Sequence, residues 1–204
     1  MHIFAIENLS LLFNALINLG LAIFIYTRNK KNPINVSFAL FNFFLTTWAF
    51  SILFYNNLND LSLAIYFMKF AYVSAIFIGI SYYYFSGVFP RDTKDIKSEP
   101  PKYFNLVFAT SVVLVLLILI PGYLTKGIII HEWGRETLLG LFEYLVFAIF
   151  FIFFFVGGLI RSWYKYRATT GQSRMQLLYV VFSVSIAGTF GMFFNLILPS
   201  AFLQ

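Results

Sequence analysis

Apolar residues run through the chain in six blocks separated by short charged loops, rather than as one-sided stripes. A stripe marks a helix with one solvated face, whereas an unbroken block of roughly 20 apolar residues is what crossing a hydrocarbon core of about 30 Å requires. The blocks cover about Phe4 to Thr27, Pro33 to Asn56, Leu61 to Phe89, Tyr103 to Ile120, Leu138 to Trp163 and Ser173 to Leu198. Each is expected to be a helix, because an open strand edge would leave backbone groups unpaired in lipid. The alternation of a transmembrane barrel is absent. Asn32 and Pro33 read as the N-cap and first-turn proline of the second helix, and Pro90 as the stop of the third. Pro121-Gly122 closes the fourth, and Ser173-x-x-Gln176 opens the sixth as a capping box. The fold class is all-α: a polytopic membrane helix bundle of six transmembrane helices, forming one sensor-like transmembrane domain over residues 1–204.

Composition agrees: 60% of the 204 residues are hydrophobic, 22% are aromatic and 11% are charged, against about 25% charged in soluble domains. Charge then sets the orientation. Eleven of the fourteen Lys and Arg fall in the first, third and fifth loops and their flanks: Arg28, Lys30 and Lys31; Arg91, Lys94, Lys97 and Lys102; Arg161, Lys165, Arg167 and Arg174. Short basic loops stay cytoplasmic, so these cations are topology anchors and the N-terminus is expected outside. Lys69, Lys126 and Arg135 lie on or near the opposite side. The cations of the first helix follow its apolar run, unlike those of a cleaved signal peptide. The net charge of +6 therefore answers to topology and anionic lipid, and nucleic acid is not expected as a partner. The expected location is the plasma membrane, crossed several times, with the bilayer as partner, an unknown small ligand and a homodimer as further possibilities, and no cofactor. The absence of cysteine excludes disulfides, thiolate metal sites and thiol catalysis.

Ionisable residues inside membrane helices cost about 2.5 to 3.5 kcal/mol at mid-helix and demand an explanation. Glu7, Lys69 and Glu143 qualify, and Glu143, six positions beyond Thr137, is expected roughly 9 Å into helix five. With Asn14 and Asn18, four apart on helix one, they are candidates for a polar cavity in which Lys69 pairs with Glu143 or Glu7 and a ligand competes for one partner. The competing reading is structural: Lys69 snorkels and Glu143 binds a neighbouring group. Asn35, Asn42 and Thr46 on helix two, and Ser185, Gly188, Gly191 and Asn195 on helix six, read as packing faces, and Tyr82 to Tyr84 as an interfacial belt. His2, and His131 beside Glu132, fall short of a metal site. No catalytic motif is present, and "IIIHEWGRET" reads as a structured outer lid.

The stretch "ALINLGLAIFIYTRNKKNPINVSFALFNFFLTTWAFSILF" resembles the opening of the N-terminal seven-transmembrane region of sensor histidine kinases, including Trp48-Ala49 midway along helix two. "GQSRMQLLYVVFSVSIAGTFGMFFNLILP" is similar to the penultimate helix of that family. The resemblance implies a membrane-embedded sensory input domain of a histidine kinase type receptor, in a non-catalytic chain without a kinase core. Family members continue into a seventh helix and cytoplasmic modules, so the chain is expected to be a truncated sensor or a relative without its output. A small transporter, which needs broken helices at the midplane, and a non-catalytic membrane subunit are the alternatives. A reporter fused at Lys97 is expected to stay inaccessible from outside the cell; labelling by an impermeant reagent there would reverse the topology.

Overall fold

The computed structural model describes residues 2–90, 99–131 and 134–193. Six helices follow in the expected order: α1 His2–Arg28, α2 Pro33–Asn57, α3 Leu61–Val88, α4 Phe104–Leu119, α5 Leu141–Ala168 and α6 Gly171–Met192. Between α4 and α5 the strands β1 Thr125–His131 and β2 Gly134–Leu139 pair antiparallel as a hairpin. The ends of α1, α3 and α5 lie with the starts of α2, α4 and α6 at what is called here the basic end; the hairpin marks the other.

Local sequence explains the helix starts. The Asn32 side chain accepts from the Ile34 amide at 2.9 Å with Pro33 following, as expected. Asp60 caps α3 by accepting from the Ser62 and Leu63 amides. At α6 the expected capping box is not used: the helix starts at Gly171, two residues before Ser173, with Thr170 as an N-cap that makes no side-chain bond, and Gly171 takes the positive φ of 63° that glycine adopts freely.

Helix α3 is the centre of the bundle. It packs on α2, α4, α5 and β1, whereas α1 packs on α2 and α6 on α5. One core cluster joins α3, α4 and α5 through Ile76, Ile80, Leu114, Ile118, Tyr144 and Phe147. A second, nearer the basic end, gathers Tyr82, Phe85 and Phe155, with Ile34 and Phe38 of α2 and Val180 and Val184 of α6 around it. Tyr82 is buried there, so it is a core residue and not part of the expected belt; its ring lies tilted against Phe155, with the centroids 5.3 Å apart. Outward faces are mostly apolar. Ile149 and Phe153 of α5, each 68% exposed, have no reason to face water and every reason to face lipid.

Two features depart from the sequence reading. Helix α5 begins at Leu141, because Leu138 and Leu139 complete β2; the β-branched run Ile128–Ile130 and its polar partners favour a twisted hairpin over a longer helix. Helix α4 has 16 residues, a length of roughly 24 Å. Among the described residues five helices are long and apolar enough to span, and α4 is the shorter sixth. One of its ends must therefore lie within the hydrocarbon layer. Asn195 and the end of helix six at Leu198 lie outside the described residues.

Small residues allow the close approaches. Ala15 and Ala22 of α1 meet Ala39, Thr46 and Ala49 of α2, all buried, and Thr46 Oγ1 donates to the Ala15 carbonyl at 3.3 Å. Gly158 of α5 sits under the Tyr82 ring, where an added Cβ would lie 2.8 Å from ring carbons. Gly158→Ala is expected to lower stability by about 1–3 kcal/mol, read as an earlier thermal unfolding transition in detergent, while Gly20→Ala, with open space around it, leaves the transition in place or raises it.

Candidate functional site

The polar residues that sequence places in the membrane find backbone partners more often than charged ones. Lys69 is 1% exposed, about 12 Å along α3 from its start. Its ammonium donates to the carbonyls of Leu119 at 3.1 Å and Ile120 at 2.8 Å, and lies 5.8 Å from the Tyr66 ring centre. Those carbonyls are the last of α4, without intrahelical donors and at the negative end of the helix dipole. A buried cation at that point replaces the water that lipid withholds.

Two other helices end the same way. Arg135 of β2 donates from Nη1 to the Tyr55 carbonyl, in the last turn of α2, and the Thr137 and Tyr55 hydroxyls lie 2.8 Å apart beside it. At the basic end Lys165, also buried, donates to Gly87 at 2.5 Å and Phe89 at 2.8 Å, the final carbonyls of α3. Arg161 adds a bond from Nη2 to the Glu99 carbonyl at 3.3 Å. Lys165 is thus an internal cap and not a solvated anchor, because burial beside orphan carbonyls outweighs the pull of the head groups. Arg28, Lys30, Lys31 and Arg167 are exposed.

The expected cavity residues are not brought together. Glu143 lies in the first turn of α5 rather than two turns deep, since the helix starts three residues later than its apolar run. Its carboxylate takes Lys126, at 3.1 Å, in place of Lys69. Lys126 also donates to the Gly122 carbonyl at 2.8 Å, and the pair closes over Gly140, where a Cβ would strike both side chains. Glu7 is exposed at the start of α1. Asn18 bonds to Asn14 within the same helix, at 2.8 Å to its carbonyl and 2.9 Å to its amide oxygen. Sequence reasoning passed over Asn8 and Asn57, whose side-chain amides pair reciprocally at 3.0 and 3.1 Å and join α1 to α2. Their positions near opposite helix termini could have signalled the contact.

The hairpin is the polar hub of its end. His131 Nε2 lies 2.7 Å from Glu136 Oε2 across it, Arg135 and Thr137 hold it to α2, Lys126 holds it to α5, and Gly140 N closes its base on the Leu124 carbonyl at 3.0 Å. Among the described residues no group of three or more His, Asp or Glu could hold a metal ion. A shallow apolar groove of about 350 Å³ on α5, lined by Val146, Ile149, Phe150, Phe153 and Phe154, suits an acyl chain better than a polar ligand.

Among the described residues, five helices long and apolar enough to cross a membrane and a shorter sixth define a multi-pass membrane protein. The model of one protein family, described as the N-terminal 7TM region of histidine kinase, matches residues 10–202; the chain belongs to that family. No curated protein and no solved structure matches it.

Lys69→Met is expected to cost about 2–3 kcal/mol, the loss of charge-assisted bonds to buried carbonyls, whereas Lys69→Arg recovers most of it. Lys126→Met, at an exposed pair, is expected to shift the detergent unfolding midpoint little by comparison.

Proposed function

We propose that the chain is the sensory input region of a membrane receptor kinase, with the hairpin outside the cell and the basic end facing the cytoplasm. Family membership supports the sensory role, and the distribution of Lys and Arg supports the orientation. The observation that carries the mechanism is the double attachment of α3. Near the hairpin end it holds the end of α4 through Lys69, and at the basic end its own last carbonyls rest on Lys165 of α5. A stimulus that moves the hairpin strains its bonds to α2 and α5 and displaces the end of α4. Helix α3 carries that displacement, as a rigid element packed on three other helices, to the basic end, where an output module would read it.

In this reading Lys69 and Glu143 act as couplers between helices and not as the two poles of one ligand cavity. Transport receives no support from broken helices near the midplane, since α2, α3 and α5 run unbroken through it.

The test replaces the corresponding helices of a full-length histidine kinase of the family with these six. Arg135→Ala and Lys69→Met are expected to shift basal autophosphorylation about fivefold or more at equal protein level, the scale of a 1 kcal/mol coupling. Unchanged phosphorylation in both, with the proteins folded and inserted, contradicts the proposal.

A further inference from the structure

The last two turns of α5 divide by direction. Lys165 points inward to the α3 carbonyls, while Trp163, Tyr164 and Arg167 are exposed. The Trp163 and Tyr166 rings lie 5.3 Å apart, and the Arg174 guanidinium of α6 sits 4.9 Å from the Tyr166 ring centre. Arg167 stands one turn beyond Trp163 on the same helix. One guanidinium thus lies over a pair of aromatic rings at the α5–α6 corner, and a second stands exposed one turn along α5.

We propose that this corner is a docking surface for the headgroup of an anionic phospholipid in the leaflet that the basic end faces. Charge complementarity carries it. Among the described residues the ion pairs are Lys126–Glu143 and His131–Glu136, both at the hairpin end; neither Arg167 nor Arg174 has a carboxylate within ion-pair distance. The loops and flanks at the basic end hold eleven of the fourteen Lys and Arg but only three of the eight acids, Asp92, Asp95 and Glu99. The cations of the hairpin end, by contrast, are bound to carbonyls or to Glu143. A guanidinium presents a planar fork that matches phosphate oxygens, and stacking Arg174 on Tyr166 holds that fork in place before the lipid arrives. Trp163 and Tyr164 set the depth, because amphipathic rings settle at the headgroup level, which puts the two arginines beside the phosphates. The surface is independent of the sensory reading and of which leaflet is cytoplasmic.

Trp163 supplies the probe. A chain carrying Trp48→Phe and Trp133→Phe, reconstituted in phosphatidylcholine vesicles, reports on lipid at this corner through quenching by brominated phosphatidylglycerol or brominated phosphatidylcholine. Brominated phosphatidylglycerol is expected to quench severalfold more effectively, and Arg167→Gln with Arg174→Gln to bring the two lipids close to parity. Arg174→Lys, keeping charge but losing the fork, is expected to fall between them. Equal quenching by both lipids in the chain with its arginines intact overturns the proposal without any arginine variant, as does a preference undiminished in the glutamine variant.

Discussion

A helix that ends where water does not reach must find donors for its last carbonyl groups. That requirement organises much of the polar structure of this bundle. Three helices, α2, α3 and α4, have final-turn or terminal carbonyls bound by Arg135, Lys165 and Lys69, each carried by a different element. The cap is therefore also a tie between elements. In water such a tie would compete with solvent and contribute little; in hydrocarbon the alternative is an unpaired carbonyl, which costs several times more.

The short helix α4 makes the requirement acute. At 16 residues it is shorter than the roughly 30 Å hydrocarbon core, and Lys69 meets its last carbonyls. The chain then turns through Pro121-Gly122 and builds a hairpin above the buried end. Its strands pair their facing edges, while Arg135 and Lys126 bond to the Tyr55 carbonyl of α2 and the Gly122 carbonyl of the α4–α5 turn. The cations that sit on the sparsely basic side, Lys69, Lys126 and Arg135, thus each have an internal task.

The helices were legible because blocks of apolar residues bounded by Asn32-Pro33, Pro90 and Pro121-Gly122 leave few alternatives in lipid. The family was legible from the first two helices and helix six. The partners of Lys69 and Lys165 were not, since a backbone carbonyl has no residue signature and searching for a carboxylate led to Glu143. The hairpin was missed for a related reason: Ile128 to Ile130 read as apolar surface, while their cross-strand neighbours Arg135, Glu136 and Thr137 lie too close in sequence to suggest a second strand. Asn14 and Asn18 were read correctly as sharing a face, yet they bond to one another and not across helices.

The central claim is that Lys69, Lys165 and Arg135 each steady the end of a helix to which they do not belong. Amide hydrogen exchange in detergent across Lys69→Met, Lys165→Met and Arg135→Ala tests it most directly. The account predicts faster exchange in the last turn of α4, α3 and α2 respectively, with the segment around each substituted residue unchanged. Faster exchange around the substituted residue, with the capped turn still protected, would contradict it.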